Sequence, residues 1–130
     1  MDLESKVIRA LQHATTSIQE AVKAKMKAEN KIFSKTMWVV GSDLEYLTFI
    51  LNLSRENSDD LWKENMKVAR VVDIDSELVT IQQLLCGALS TVLTNLEETY
   101  RKVWLAQLYV LRIQRKEERL TTLNSHNRSL

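Results

Sequence analysis

The sequence predicts an all-α fold: an elongated antiparallel bundle of three long helices, four if the second breaks near residues 54–60, with a long C-terminal helix. Three observations lead there. The chain has no proline and only two glycines, Gly41 and Gly87, so little in it opposes long helices. Apolar residues recur every three or four positions, the spacing that gathers them on one helix face. And the stretch from Leu78 to Leu96 contains no charged residue, although 27% of the chain is charged. At 130 residues the chain is long enough to bury a core as one domain, expected over residues 1–123, with 124–130 as a frayed tail.

Helix 1 is expected from Asp2, a plausible N-cap, into the thirties. Leu3, Val7, Leu11, Ala14, Ile18, Val22 and Met26 form its stripe, and Ile32, Phe33, Met37, Val39 and Val40 carry the apolar character on to Gly41. Gly41 suits the left-handed residue just past a helix end. Ser42-Asp43-Leu44-Glu45 follows as a capping box, so a short turn is expected here, with helices 1 and 2 as antiparallel neighbours.

Helix 2 opens with Leu44, Leu47, Ile50, Leu51 and Leu53 and then meets the polar run SRENSDD. Asn57 or Ser58 could cap a new helix there. A seven-residue register through Leu47, Leu51, Leu61, Val68 and Val72 favours one continuous or kinked helix instead. A second turn is expected over Val71–Ser76, with Asp73, Asp75 or Ser76 capping the last helix. That helix should run to about Leu123 as a central rod, and Gly87 or Asn95 are the places where it would break. The charge-free start of the rod reads as buried on several sides, which two other helices would not fully cover.

Charge is uneven although the net value is +1. Residues 1–40 carry +3, residues 41–77 carry −5 and residues 78–130 carry +3. Cys86 is the only cysteine, which excludes an intrachain disulfide, and its apolar setting reads as a small buried hydrophobe. The charged, amphipathic N-terminus lacks a signal-peptide core, so an intracellular, reducing location is expected, cytoplasmic or nuclear and not secreted.

Candidate chemistry is thin. Neither His13 nor His126 has a cysteine or second histidine at ligand spacing, and no glycine-rich loop is present to cradle phosphates. The acidic pairs Asp59-Asp60, Glu97-Glu98 and Glu117-Glu118 are adjacent in sequence and so diverge around a helix. No enzyme, cofactor, metal or small-molecule substrate is therefore expected. Gln82, Gln83, Ser90 and Asn95 dilute the charge-free run, which argues against a membrane span.

Surfaces remain. Tyr100, Trp104 and Tyr109 interleave with Arg101, Arg112, Arg115 and Arg119, a mixture typical of interfaces. The expectation is a non-enzymatic structural or interaction protein, a homo-oligomer or the partner of another helical protein, acting through its long C-terminal helix. Trp104, Leu105, Leu108, Val110 and Leu111 would anchor that contact, with Leu85 and Leu89 in the seam. The alternative is a nucleic-acid-binding, packaging or coat-like protein. It would use Lys23, Lys27, Lys31 and Lys35, spaced by four, together with Arg112, Arg115 and Arg119.

Overall fold

A computed structural model describes residues 2–51 and 73–129, and the side chains of those up to residue 120. The described residues form an all-helical bundle of α1 (Leu3–Met26), α2 (Asn30–Leu51), α3 (Ile74–Thr91) and α4 (Leu96–Ser129). Expectations about helix 2 beyond Leu51, including the break near 54–60 and the caps at Asn57 or Ser58, lie outside these residues.

The first helix ends earlier than its stripe suggested. Lys27 closes α1, and the chain reverses through Ala28 at φ 57. The Ala28 amide donates to the Lys25 carbonyl at 3.1 Å and the Glu29 amide to the Ala24 carbonyl at 2.9 Å. This pair of bonds is the Schellman closure, with alanine where glycine is usual. Lys23 and Lys25 lie in the last turn, where cations complement the carbonyl end of the helix.

Gly41, the expected turn, sits in the middle of α2, and Ser42–Glu45 continues that helix instead of capping one. Its role is packing. A Cβ at Gly41 would lie 3.1 Å from Gln114 Nε2 and 3.6 Å from Val110 Cγ1. The missing side chain lets α4 approach, and Gln114 Nε2 donates to the Met37 carbonyl at 3.2 Å.

The expected central rod is a helical hairpin, broken at Asn95 and not at Gly87. Asp73 caps α3, accepting from the Asp75 amide and the Ser76 hydroxyl. Asn95 Oδ1 accepts from the Glu98 amide at 3.1 Å and so caps α4, with Glu97 and Glu98 in its first turn. The turn is tied internally, because the hydroxyls of Thr91 and fully buried Thr99 lie 2.7 Å apart. Gly87 stays helical and lets the Lys102 side chain lie across it.

The helices meet in the cyclic order α1, α2, α4, α3. His13 Nδ1 on α1 pairs with Asp43 Oδ2 on α2, and Thr48 on α2 donates to Gln107 on α4 at 2.8 Å. Neighbours in this ring are antiparallel, so α2 and α3 lie across the diagonal and run the same way. Leu51 and Asp73 therefore sit at opposite ends of the bundle.

One core threads all four helices: Val7, Leu11 and Ile18 of α1, Phe33, Met37 and Leu44 of α2, Leu78, Ile81 and Leu85 of α3, and Val103, Val110 and Ile113 of α4. On α3 only the stripe Ile74, Leu78, Ile81, Leu85 and Ala88 is buried. Val79, Gln83, Cys86 and Ser90 face out. The charge-free run is thus half exposed, and Cys86 is an exposed free thiol, not a buried one. It lies one position, about 100°, round the helix from Leu85.

Candidate interaction surface

The residues expected to bind a partner are mostly used inside the chain. Leu85 and Val110 are fully buried in the core, and Leu89 packs against it half-buried. Trp104 and Leu108 are buried at 8% and 3% exposure. Leu105 and Leu111 are half-buried. A second chain reaches Leu85 or Val110 only if the bundle opens.

The basic residues are redistributed in the same way. Because α1 ends at Met26, Lys23, Lys27, Lys31 and Lys35 do not form one stripe. Lys23 lies in the last turn of α1, Lys27 is its C-cap, and Lys31 and Lys35 stand on α2, all exposed. Lys25 Nζ lies 5.8 Å from the centre of the Phe33 ring, which ties it across the turn. Arg112 is structural. Its guanidinium pairs with Glu77 Oε1 at 3.6 Å, with side-chain exposures of 11% and 15%, and it stacks 5.0 Å from the Tyr109 ring centre. Arg115 and Arg119 are exposed. Arg101 and Lys102 both reach Glu98 along their own helix.

What the sequence reading missed is the outer face of α2. Trp38, Tyr46 and Phe49 are 64%, 45% and 67% exposed. They fall within a quarter-turn of one another, opposite the buried stripe Phe33, Met37, Val40, Leu44 and Leu47. Single exposed apolar residues are ordinary, but three large aromatic side chains in line are not. The signal was present as the spacing 38, 46 and 49. It became readable only with Gly41 inside a helix, because a break there assigns Trp38 and Tyr46 to different helices.

Beside this stripe runs a groove between α2 and α4, with two adjoining hollows of about 370 Å³ and 240 Å³. Trp38 forms the shared wall, Gly41 and Val110 the floor, and Glu45, Glu118 and Arg115 the rim. Across the bundle, the outer face of α3 exposes Val79 and leads to exposed Leu93, without a charge between Glu77 and Glu97.

Among the described residues, two helix-capping carboxylates titrate away from their ordinary value. The Ser76 hydroxyl and then the Asp75 amide hold the Asp73 carboxyl below its usual value, and the Ser5 amide does the same for Asp2. Both shifts belong to capping. Among the described residues no group of three or more His, Cys, Asp or Glu side chains is placed to hold a metal ion. No described helix is long and apolar enough to cross a membrane. Comparison with protein-family models, curated proteins and solved structures gave no match.

Proposed function

We propose that this chain is a non-enzymatic interaction protein, a helical-bundle assembly subunit or adaptor that docks protein through the outer face of α2 and the groove α2 forms with α4. The observation that carries this reading is the exposed line Trp38, Tyr46 and Phe49. Interfaces are enriched in aromatic side chains, and their energy concentrates in a few anchors of this kind. The C-terminal helix keeps a part in it, because Leu111, Gln114, Arg115 and Glu118 line the same groove. The anchors, however, lie on α2.

A photo-crosslinking side chain placed at Trp38 or Phe49 in expressing cells should give discrete protein adducts, while the same group at exposed Gln19 on α1 should not. Absence of adducts at both α2 positions, or equal labelling at Gln19, overturns the reading.

A second reading, nucleic-acid binding, rests on exposed Lys23, Lys27 and Lys31 around the α1–α2 turn. It excludes Arg112, which Glu77 holds. Binding of this kind falls steeply with salt, and each lysine-to-glutamate change at the turn should reduce the slope by about one phosphate contact. Salt-independent binding, or none, removes it.

A further inference from the structure

Resting on the interaction reading above, we propose that the occupant of the α2 face is a second copy of this chain, the two α2 helices packing antiparallel about a two-fold axis at the level of residue 40. Charge order along the helix is the first reason. The outer face carries Lys31 and Lys35 in its first half and Glu45 in its second, all exposed. Asp43, also in the second half, is engaged by His13. Antiparallel copies centred on residue 40 set Lys35 opposite Glu45 twice, once for each symmetry-related pair, whereas parallel copies oppose like charges.

The second reason is that this order is unfavourable to α2 alone. Its first turn has no acidic residue and its last turn no basic one, and Lys31 lies at the end where amide dipoles already give positive potential. An antiparallel copy brings the opposite end of its own helix, and its carboxylate, to each lysine pair. What is unexplained within one chain is thereby explained between two.

Shape is the third. The same register sets Trp38 of one copy opposite Ser42 of the other, a large exposed ring against a small exposed side chain. It also sets Lys31 opposite Phe49, where the lysine stem can cover the ring. Three aromatic side chains of about 200 Å² each, roughly half to two-thirds exposed, supply about 350 Å² per copy. The pair then buries about 700 Å² from aromatics alone, and Lys31, Lys35, Val39, Ser42 and Glu45 must bring it to the ~1,200 Å² of a small specific interface. A contact of that size belongs with small, reversible interfaces, so the dimer should exchange with monomer as concentration falls.

Sedimentation velocity of the full-length protein over about a thousandfold concentration range should show a monomer–dimer equilibrium. Lys35→Glu and Glu45→Lys should each weaken it by about tenfold or more, since two like-charge contacts arise per dimer. An equimolar mixture of the two variants should recover dimer, because each remaining pair is then opposite in sign. Far-UV circular dichroism of both variants should match the wild type, as neither side chain is buried. A wild type that stays monomeric, a dimer indifferent to both reversals, or a mixture that fails to recover overturns the pairing. Crosslinks from Trp38 to a different protein alongside a monomeric wild type would remove the self-pairing and leave the interaction reading standing. No crosslink at all would remove both.

Discussion

Replacing Glu77 with alanine tests whether Arg112 belongs to the bundle or to a ligand. The carboxylate on α3 and the guanidinium on α4 meet at 3.6 Å, and their side chains keep only 15% and 11% of their exposure. Removing one partner of a fully buried ion pair costs about 3–5 kcal/mol, most of it from leaving the other charge in a poorly solvated place. Two features lower the figure here. The separation exceeds the ~2.8 Å of a good charge-assisted bond, and the residual exposure admits some water. About 2–3 kcal/mol is therefore expected for Glu77→Ala. For a domain of this size that corresponds to a fall in Tm of roughly 10 °C, or a matching shift in urea midpoint at unchanged slope. Because Arg112 also stacks on Tyr109, Arg112→Ala alone mixes several losses. The cycle of Glu77→Ala, Arg112→Ala and the double variant isolates the pair, and a coupling of about 1 kcal/mol or more is expected. Coupling below about 0.5 kcal/mol, with Glu77→Ala costing less than 1 kcal/mol, would refute the structural role of Arg112.

Four further outcomes are expected. Ala28→Gly should raise stability by about 0.5–1 kcal/mol, since residue 28 holds φ 57; a lower urea midpoint would contradict the Schellman closure. Gly41→Val should cost about 2 kcal/mol by forcing Gln114 off the Met37 carbonyl and α4 away from α2, and an unchanged Tm would contradict that close approach. Leu85→Ala should cost about 3 kcal/mol in thermal denaturation at any protein concentration, because Leu85 is a core residue of the single chain; a cost that grows on dilution would instead place it at an interface. Asp73→Asn should flatten the acid side of the stability profile. The folded-state carboxyl titrates below its ordinary 3.8, so its contribution is present above that value and lost as pH falls through the lower folded one. Denaturation midpoints at pH 7 and pH 3 should therefore differ less in the variant than in the wild type.

The helical class was legible because it depends on sums: no proline, few glycines and a 3.6-residue period over long windows. The α3–α4 corner was half legible, since Asn95 is a good cap, but nothing in the sequence shows that Thr91 and Thr99 lock it. The α1–α2 corner was illegible for a specific reason. Its left-handed residue is Ala28, whereas the residue that looked the part, Gly41, is helical and spends its missing side chain on helix packing. That one displacement moved the eleven α2 residues 30–40 into helix 1 and split the aromatic line between two helices. It also made Lys23 to Lys35 look like a single stripe. The burial of the expected anchors on α4 was illegible for a different reason. Trp104 and Leu108 look the same in sequence whether a ring faces a partner or its own chain, and only burial separates the two.

The charge-free run Leu78–Leu96 takes on a different meaning with these placements. Read as apolar on every side, it demanded burial by something absent. In the structure the core takes Leu78, Ile81, Leu85, Ala88 and Val92, and what faces outward along α3 is Val79, Gln83, Cys86 and Ser90, uncharged but only weakly apolar, with Leu93 exposed beyond the helix end. Avoiding charge on an exposed helix brings no folding benefit, since a solvated lysine or glutamate there costs almost nothing. The α2 face differs, because aromatic side chains in water carry a hydrophobic cost that only contact removes, roughly 25 cal/mol for each Å² covered. For about 350 Å² of exposed ring that is near 9 kcal/mol per copy before the cost of association, enough to drive a complex but not to name its partner. The partner is selected by the charges around the rings. Lys35 and Glu45, ten residues apart on one face, match the reversed copy of themselves.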